Sequence, residues 1–192
     1  NAQLAMVVAF CGLSTSLGLA TLAGVSLLVA PPRILGLLGA RESVSIALGV
    51  ALLALPAAYL AWAAFGSEPL RIRRFTMRRP ALPLAAAQIL VAVADLTLAA
   101  TVLWVLLPHG AHISLIAFTS LFAVAVVAGI VSNVPGGLGV FESVLIFGLR
   151  ELPADALLGS LLVYRAIYYL LPLGLAAVLF VSHEVHGQRA RI

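Results

Sequence analysis

Five long stretches of this chain carry at most one charged side chain each: residues 4–30, 44–65, 84–107, 113–149 and 157–182. A helix needs about 20 apolar residues to cross the ~30 Å hydrocarbon layer, so four of these stretches read as full membrane spans. The fourth in order, 113–149, is interrupted by Asn133-Val134-Pro135-Gly136-Gly137-Leu138-Gly139. Only about ten apolar residues follow that break, too few to span. Composition agrees. Hydrophobic residues make up 63% of the chain, charged residues 9%, and the mean hydropathy is +1.17. A soluble domain keeps roughly a quarter of its residues charged. The fold class is therefore all-α integral membrane, a polytopic helical bundle of about four full spans plus a broken or re-entrant helical hairpin, with no soluble domain.

The charges fix a topology. All 11 basic residues are Arg, and Arg71, Arg73, Arg74, Arg78 and Arg79 crowd the loop 66–83 against a single Glu68. Short basic loops beside spans resist translocation, so this loop is assigned to the cytoplasm. Contact with anionic headgroups is a secondary role for it. His183, Glu184, His186, Arg189 and Arg191 make a tail of the same character. With both inside, the hairpin 113–149 enters and leaves on the outer side and dips to mid-membrane at Gly136-Gly137; a full crossing by its first half is the alternative. Basic residues confined between apolar spans do not form the solvated face that nucleic acid needs. The lone Cys11 has no disulfide partner and no second Cys for a metal pair, and reads as a small buried hydrophobe. The chain opens at Asn1 without an initiator Met or a signal-peptide n-region, and reads as an internal piece of a longer protein. No repeat at a fixed period is visible, although half of an inverted repeat would look like this.

Local signals set the boundaries. Pro31-Pro32 stops the first span. Gly12, Ser14, Ser16, Gly18 and Gly24 suit that span to close packing inside a bundle. Pro56 predicts a kink in the second span, where Tyr59 and Trp62 near the interface. Pro108-His109-Gly110 ends the third.

A carboxylate at the bilayer centre must be paired, protonated or facing a wet cavity, which makes Asp95 the leading functional candidate. Gln88, two turns earlier on the same face, extends a polar stripe; a structural hydrogen bond between helices is the competing reading for both. Gly136, Gly137 and Gly139 allow close backbone approach. A half helix starting near Leu138 would present free N–H groups, a seat for a phosphate or carboxylate, with Glu142 in its first turns. On the last span Tyr164, Arg165, Tyr168, Tyr169 and Pro172 cluster, and Arg165, Tyr168, Tyr169 and Pro172 share a face. Arg165 is deep enough to need a counter-ion, Asp95 or Glu142, and its guanidinium fork also suits a lipid phosphate. Asp95 and Arg165 are expected to face one intramembrane cavity. The glycines match no nucleotide-binding fingerprint. No catalytic nucleophile with a base, no metal set and no cofactor site is recognisable.

The runs Ser132 to Glu142 and Leu162 to Pro172, with Leu70-Arg71-Ile72-Arg73 and Gln88 to Asp95, resemble the lysylphosphatidylglycerol synthase transmembrane family, of which the multiple peptide resistance factor is the best-known type. The resemblance covers about Val7 to Glu184. It implies that the chain is the C-terminal part of a transmembrane flippase domain in the bacterial inner membrane. The substrate it implies is lysyl- or alanyl-phosphatidylglycerol, moved from the inner to the outer leaflet, giving resistance to cationic antimicrobial peptides. It also implies partners: the rest of the flippase domain, and a cytosolic synthase domain that is a phosphatidylglycerol lysyltransferase dependent on aminoacyl-tRNA. A homo-oligomer stays open. Within the resemblance, Asp95 matches the family's intramembrane acid, Pro135 to Gly137 its turn, and Tyr164-Arg165 its Tyr-Arg motif. Two alternatives stand beside transport: a membrane scaffold for the synthase, or a standalone transporter of another lipid-linked substrate.

Overall fold

The computed structural model describes residues 2–30, 42–66, 70–72, 75–77, 80–108 and 110–189. Pro31-Pro32, the connection to Arg41, and Arg73, Arg74, Arg78, Arg79 and His109 lie outside the described residues.

Helix α1 spans Ala2–Val29, α2 Glu42–Phe65 and α3 Leu82–Val105. The first residues of α2 and α3 have local causes. Glu42 sits in the first turn of α2, where a carboxylate meets the positive end of the helix dipole. Pro83 sits in the first turn of α3, where its fixed φ is already helical and its missing N–H costs nothing. Pro56 lies inside α2, which runs through it as one helix. Cys11, expected to be buried, is exposed on α1 in the isolated chain, a position that a soft apolar thiol tolerates against lipid. The Arg-rich loop holds a structure that its polarity did not announce. Leu70–Ile72 (β1) pairs antiparallel with Phe75–Met77 (β2), Arg71 opposite Thr76, the only strands among the described residues.

Small residues let the helices close on one another. A Cβ on Gly18 would collide with the Ala92 Cβ of α3, and one on Gly24 would lie 3.0 Å from the Gly49 carbonyl of α2. Lipid tails are as apolar as leucine, so such close van der Waals contact, rather than exclusion from water, holds spans together. Polar bonds supplement it. Gln88 accepts from the Tyr59 hydroxyl and donates to Ser14 Oγ, both at 2.8 Å, tying α1, α2 and α3 at one point.

After α3 the indole of Trp104 donates to the Ile113 carbonyl at 3.0 Å and closes the connection to α4 (Leu115–Val131), which is capped by Ser114. Helix α4 is the centre of the core, with Phe118 to Ala123 and Ala125 buried. The chain then breaks, makes a single 3-10 turn at Pro135–Gly137, and continues as α5 (Val140–Gly148). Two contacts fix the direction of α5. Gly137 meets Gly129 near the end of α4, whereas Gly148 meets Leu121 near its start. Helix α5 thus folds back antiparallel on α4. This is the broken hairpin, and its tip is Pro135–Gly139.

Helix α6 (Ala154–Arg165) follows, and a π turn (Ala166–Leu170) joins it to α7 (Leu171–Arg189). Ser160 donates to the Leu106 carbonyl at 2.6 Å, and Tyr168 further along reaches back to Asp95, so α6 runs antiparallel to α3. Among the described residues, four helical stretches are long and apolar enough to cross a membrane: Phe10–Val29, Glu42–Phe65, Leu82–Val105 and Ala154–Phe180. Every residue from Ile167 to Phe180 except Tyr168 is exposed in the isolated chain, whereas α4 is enclosed.

Candidate functional site

The lone charges of three separate apolar stretches come together where the hairpin tip meets the π turn. Asn133, Gly136, Gly137 and Gly139 have φ of 57°, 66°, 60° and 80°, so the tip passes four times through the left-handed region that glycine enters most freely. Its backbone groups find partners locally: Ser132 Oγ donates to the Gly129 carbonyl and accepts from Val134 N–H, and Gly137 N–H donates to the Val134 carbonyl. Freed backbone groups inside lipid must be satisfied within the protein, and the N–H groups of Asn133, Val134, Gly137 and Gly139 are.

Glu142 caps the helix that starts at the tip. Its Oε2 accepts from Gly139 N–H at 2.8 Å, and its Oε1 accepts from Arg165 Nε at 2.5 Å. Glu142, not Asp95, is thus the counter-ion of Arg165. The two side chains keep only 19% (Arg165) and 15% (Glu142) of their accessible surface, so the pair is mostly withdrawn from its surroundings. The far edge of the guanidinium is held less firmly: Nη1 and Nη2 each reach the Gly136 carbonyl at 3.4 Å. The guanidinium carbon also lies 6.0 Å from the Phe141 ring and 5.7 Å from the Tyr169 ring.

The aromatic residues form a pile behind this pair. Phe141 stacks on Tyr164, Tyr164 stacks on Tyr168, and Phe122 meets both Phe141 and Tyr164 edge-on. Tyr164 is fully buried and belongs to the core. Tyr168 is half-buried, and its hydroxyl donates to Asp95, 3.2 Å from each carboxylate oxygen. Asp95 itself is exposed on α3 in the isolated chain.

Of the residues expected to act together, Asp95, Glu142, Arg165, Tyr164, Tyr168, Tyr169, Gly136 and Gly139 gather at this point. Gly137 serves the close approach to α4. Gln88 is placed differently: although it shares a face of α3 with Asp95, its bonds go to Tyr59 and Ser14. A cavity of about 470 Å³ lies beside that knot, lined by Leu13, Ser16, Leu17, Leu55, Ala58, Tyr59 and Trp62. None of the expected headgroup residues lines it; Asp95 bonds Tyr168, whereas Arg165 is paired with Glu142 and flanked by Phe141 and Tyr169.

Of the two occupants expected for the half-helix N-terminus, a ligand anion or a carboxylate of the chain, the carboxylate of Glu142 takes the Gly139 N–H. One feature was not foreseen. It is the π turn, in which Leu171 N–H bonds the Ala166 carbonyl. Pro172 was its signal. It lacks the N–H that an α turn would aim at the Tyr168 carbonyl, which eases a widening of the helix there.

Fold and site together define a polytopic α-helical membrane protein with a charged site at the tip of a broken helical hairpin. No family model matches the chain. An uncharacterized protein of Synechocystis is 37% identical over 187 residues, 97% of this chain and 58% of that one. The phosphatidylglycerol lysyltransferase of Staphylococcus aureus is 39% identical over 71 residues, 36% of this chain and 8% of that enzyme. The chain therefore spans little more than half of the first relative and a small part of the second.

Proposed function

We propose that this chain is part of a bacterial membrane transporter that carries aminoacylated phosphatidylglycerol from the inner to the outer leaflet. The observation that carries the reading is the juxtaposition of Arg165, Glu142 and Asp95 on one surface of the bundle. The substrate bears an anionic phosphate and at least one ammonium group, and this surface offers each charge a partner in place of the water it loses. The similarity to a phosphatidylglycerol lysyltransferase supplies the lipid class. Headgroup contacts are assigned to Asp95, Glu142, Arg165, Tyr168 and Tyr169, with Gly136 and Gly139 shaping the tip. Gly137, Gln88 and Tyr164 hold the structure.

Transport and synthesis are separable in one experiment. In cells that make the aminoacyl lipid, Asp95→Asn and Arg165→Ala lower the amount reaching the outer leaflet while total lipid is unchanged. Normal exposure with both substitutions overturns the reading.

A second reading, a transporter that works without its own synthase domain, is favoured by one comparison. The stretch matching this chain is 58% of the Synechocystis relative, so less of that protein lies outside the match than inside it. In the lysyltransferase the matching stretch is only 8% of the enzyme.

A further inference from the structure

Glu142 already fills the position beside Arg165 that a simple anion would take. Its carboxylate holds Nε at 2.5 Å and Gly139 N–H at 2.8 Å, and little of it is accessible. The guanidinium edge formed by Nη1 and Nη2 is the loosely held one. Its contacts to the Gly136 carbonyl, 3.4 Å each, are longer than an ordinary N–H···O bond, and this is an edge that can grip a phosphate with two prongs. A phosphate arriving there finds a cation that is already neutralised, with a second anion on its other edge. In a site withdrawn from water, that leaves one negative charge without compensation, and like charges at such a distance repel strongly.

We propose that Glu142 acts as a charge filter: the site accepts a phosphodiester lipid only when the same headgroup brings an ammonium to Glu142. The inference rests on the transport reading above and deepens it by naming what separates the aminoacylated lipid from its unmodified parent. Phosphatidylglycerol brings only a negative charge and is rejected. Its aminoacyl ester converts one internal ion pair into two intermolecular ones, phosphate to Arg165 and ammonium to Glu142. Asp95 extends the match. One guanidinium against two carboxylates is the mirror of a lysyl headgroup, which has one phosphate and two amino groups.

The test uses the full chain in neutral maltoside micelles with an equimolar mixture of phosphatidylglycerol and lysyl-phosphatidylglycerol of identical acyl chains. Lipid retained through affinity purification is quantified by mass spectrometry. The unaltered protein retains the lysyl lipid in about tenfold or greater excess, the scale set by a like-charge contact at a desolvated site. Glu142→Gln admits phosphatidylglycerol and brings the ratio close to that of the input. A third arm needs no substitution: lysyl-phosphatidylglycerol with both amines acetylated is retained by the unaltered protein no better than phosphatidylglycerol. An unchanged ratio in Glu142→Gln, or retention of the acetylated lipid equal to that of the lysyl lipid, overturns the filter. Arg165→Ala loses both lipids; if it keeps both, the phosphate seat, and with it the transport reading, is what fails.

Discussion

The Tyr168 hydroxyl stands 3.2 Å from both carboxylate oxygens of Asp95, joining the π turn to α3 across 73 positions of sequence. Tyr168→Phe keeps the ring stacked on Tyr164 and removes only this bond. Hydrogen bonds to charged groups contribute about 1.5–3 kcal/mol, so thermal unfolding in detergent should show a loss near the lower end of that range. Outer-leaflet aminoacyl lipid should fall about as far as in Asp95→Asn. If both stability and lipid exposure are unaffected, the bond is incidental.

The glycines of the hairpin tip should differ in what they tolerate. A Cβ on Gly137 would lie 3.1 Å from the Gly129 Cα, which is backbone and cannot step aside, and the residue also has φ of 60°. At Gly139 a Cβ meets nothing within 4 Å, and at Gly136 only Arg165 Nη1 at 4.0 Å. Gly136→Ala and Gly139→Ala should each cost about 1–2 kcal/mol from the left-handed backbone alone. Gly137→Ala should cost clearly more, because overpacking of about 1–3 kcal/mol adds to the same strain. Comparing the three melting temperatures checks the order, and equal losses would contradict the close approach of Gly137 to α4.

Gln88 offers a control for the site. Gln88→Leu removes the bonds to Tyr59 and Ser14 at a cost of about 1–2 kcal/mol, since interhelical bonds in membranes contribute roughly 0.6 kcal/mol each on average and up to about 1.7. Its effect on which lipid is retained should be nil, the reverse of Glu142→Gln. A changed lipid ratio in a stable Gln88→Leu protein would bring this residue into the headgroup site.

Orientation is open to labelling. In a Cys11→Ser background, a cysteine at Thr76 in β2 should be protected from an impermeant maleimide in intact cells and react once they are permeabilised. A cysteine at His112, between α3 and α4, should react in both. The opposite pattern reverses the assignment of the Arg-rich hairpin to the cytoplasm.

Much of the architecture follows from one-dimensional chemistry. Long stretches with a single charge or none can only sit in lipid or a dry core, and the first four end where proline, glycine or arginine makes continuation costly, so the four long helices and the broken segment follow from the sequence. The lone charges at Asp95, Glu142 and Arg165 were legible for the same reason, because an ionisable side chain in an apolar stretch is expensive wherever the helix packs. Pairing was not legible. Helical periodicity places Gln88 and Asp95 on one face of α3, yet it says nothing of which neighbour covers each turn, and the packing of α1 and α2 took Gln88 while the π turn took Asp95. The break at Pro135-Gly136-Gly137 announced a hairpin, but no pattern reveals how closely the returning α5 lies along α4. That depends on Gly129 and Gly137 allowing two backbones to meet, and it is this return that carries Glu142 to Arg165. Whether a stretch is apolar enough for lipid, and near which residue it breaks, depend on a side chain and its immediate neighbours, so the order of residues was enough to read both. Which buried charge answers which is a property of the packing, because an ion pair forms between groups brought within about 4 Å, and that separation is set by every helix between them.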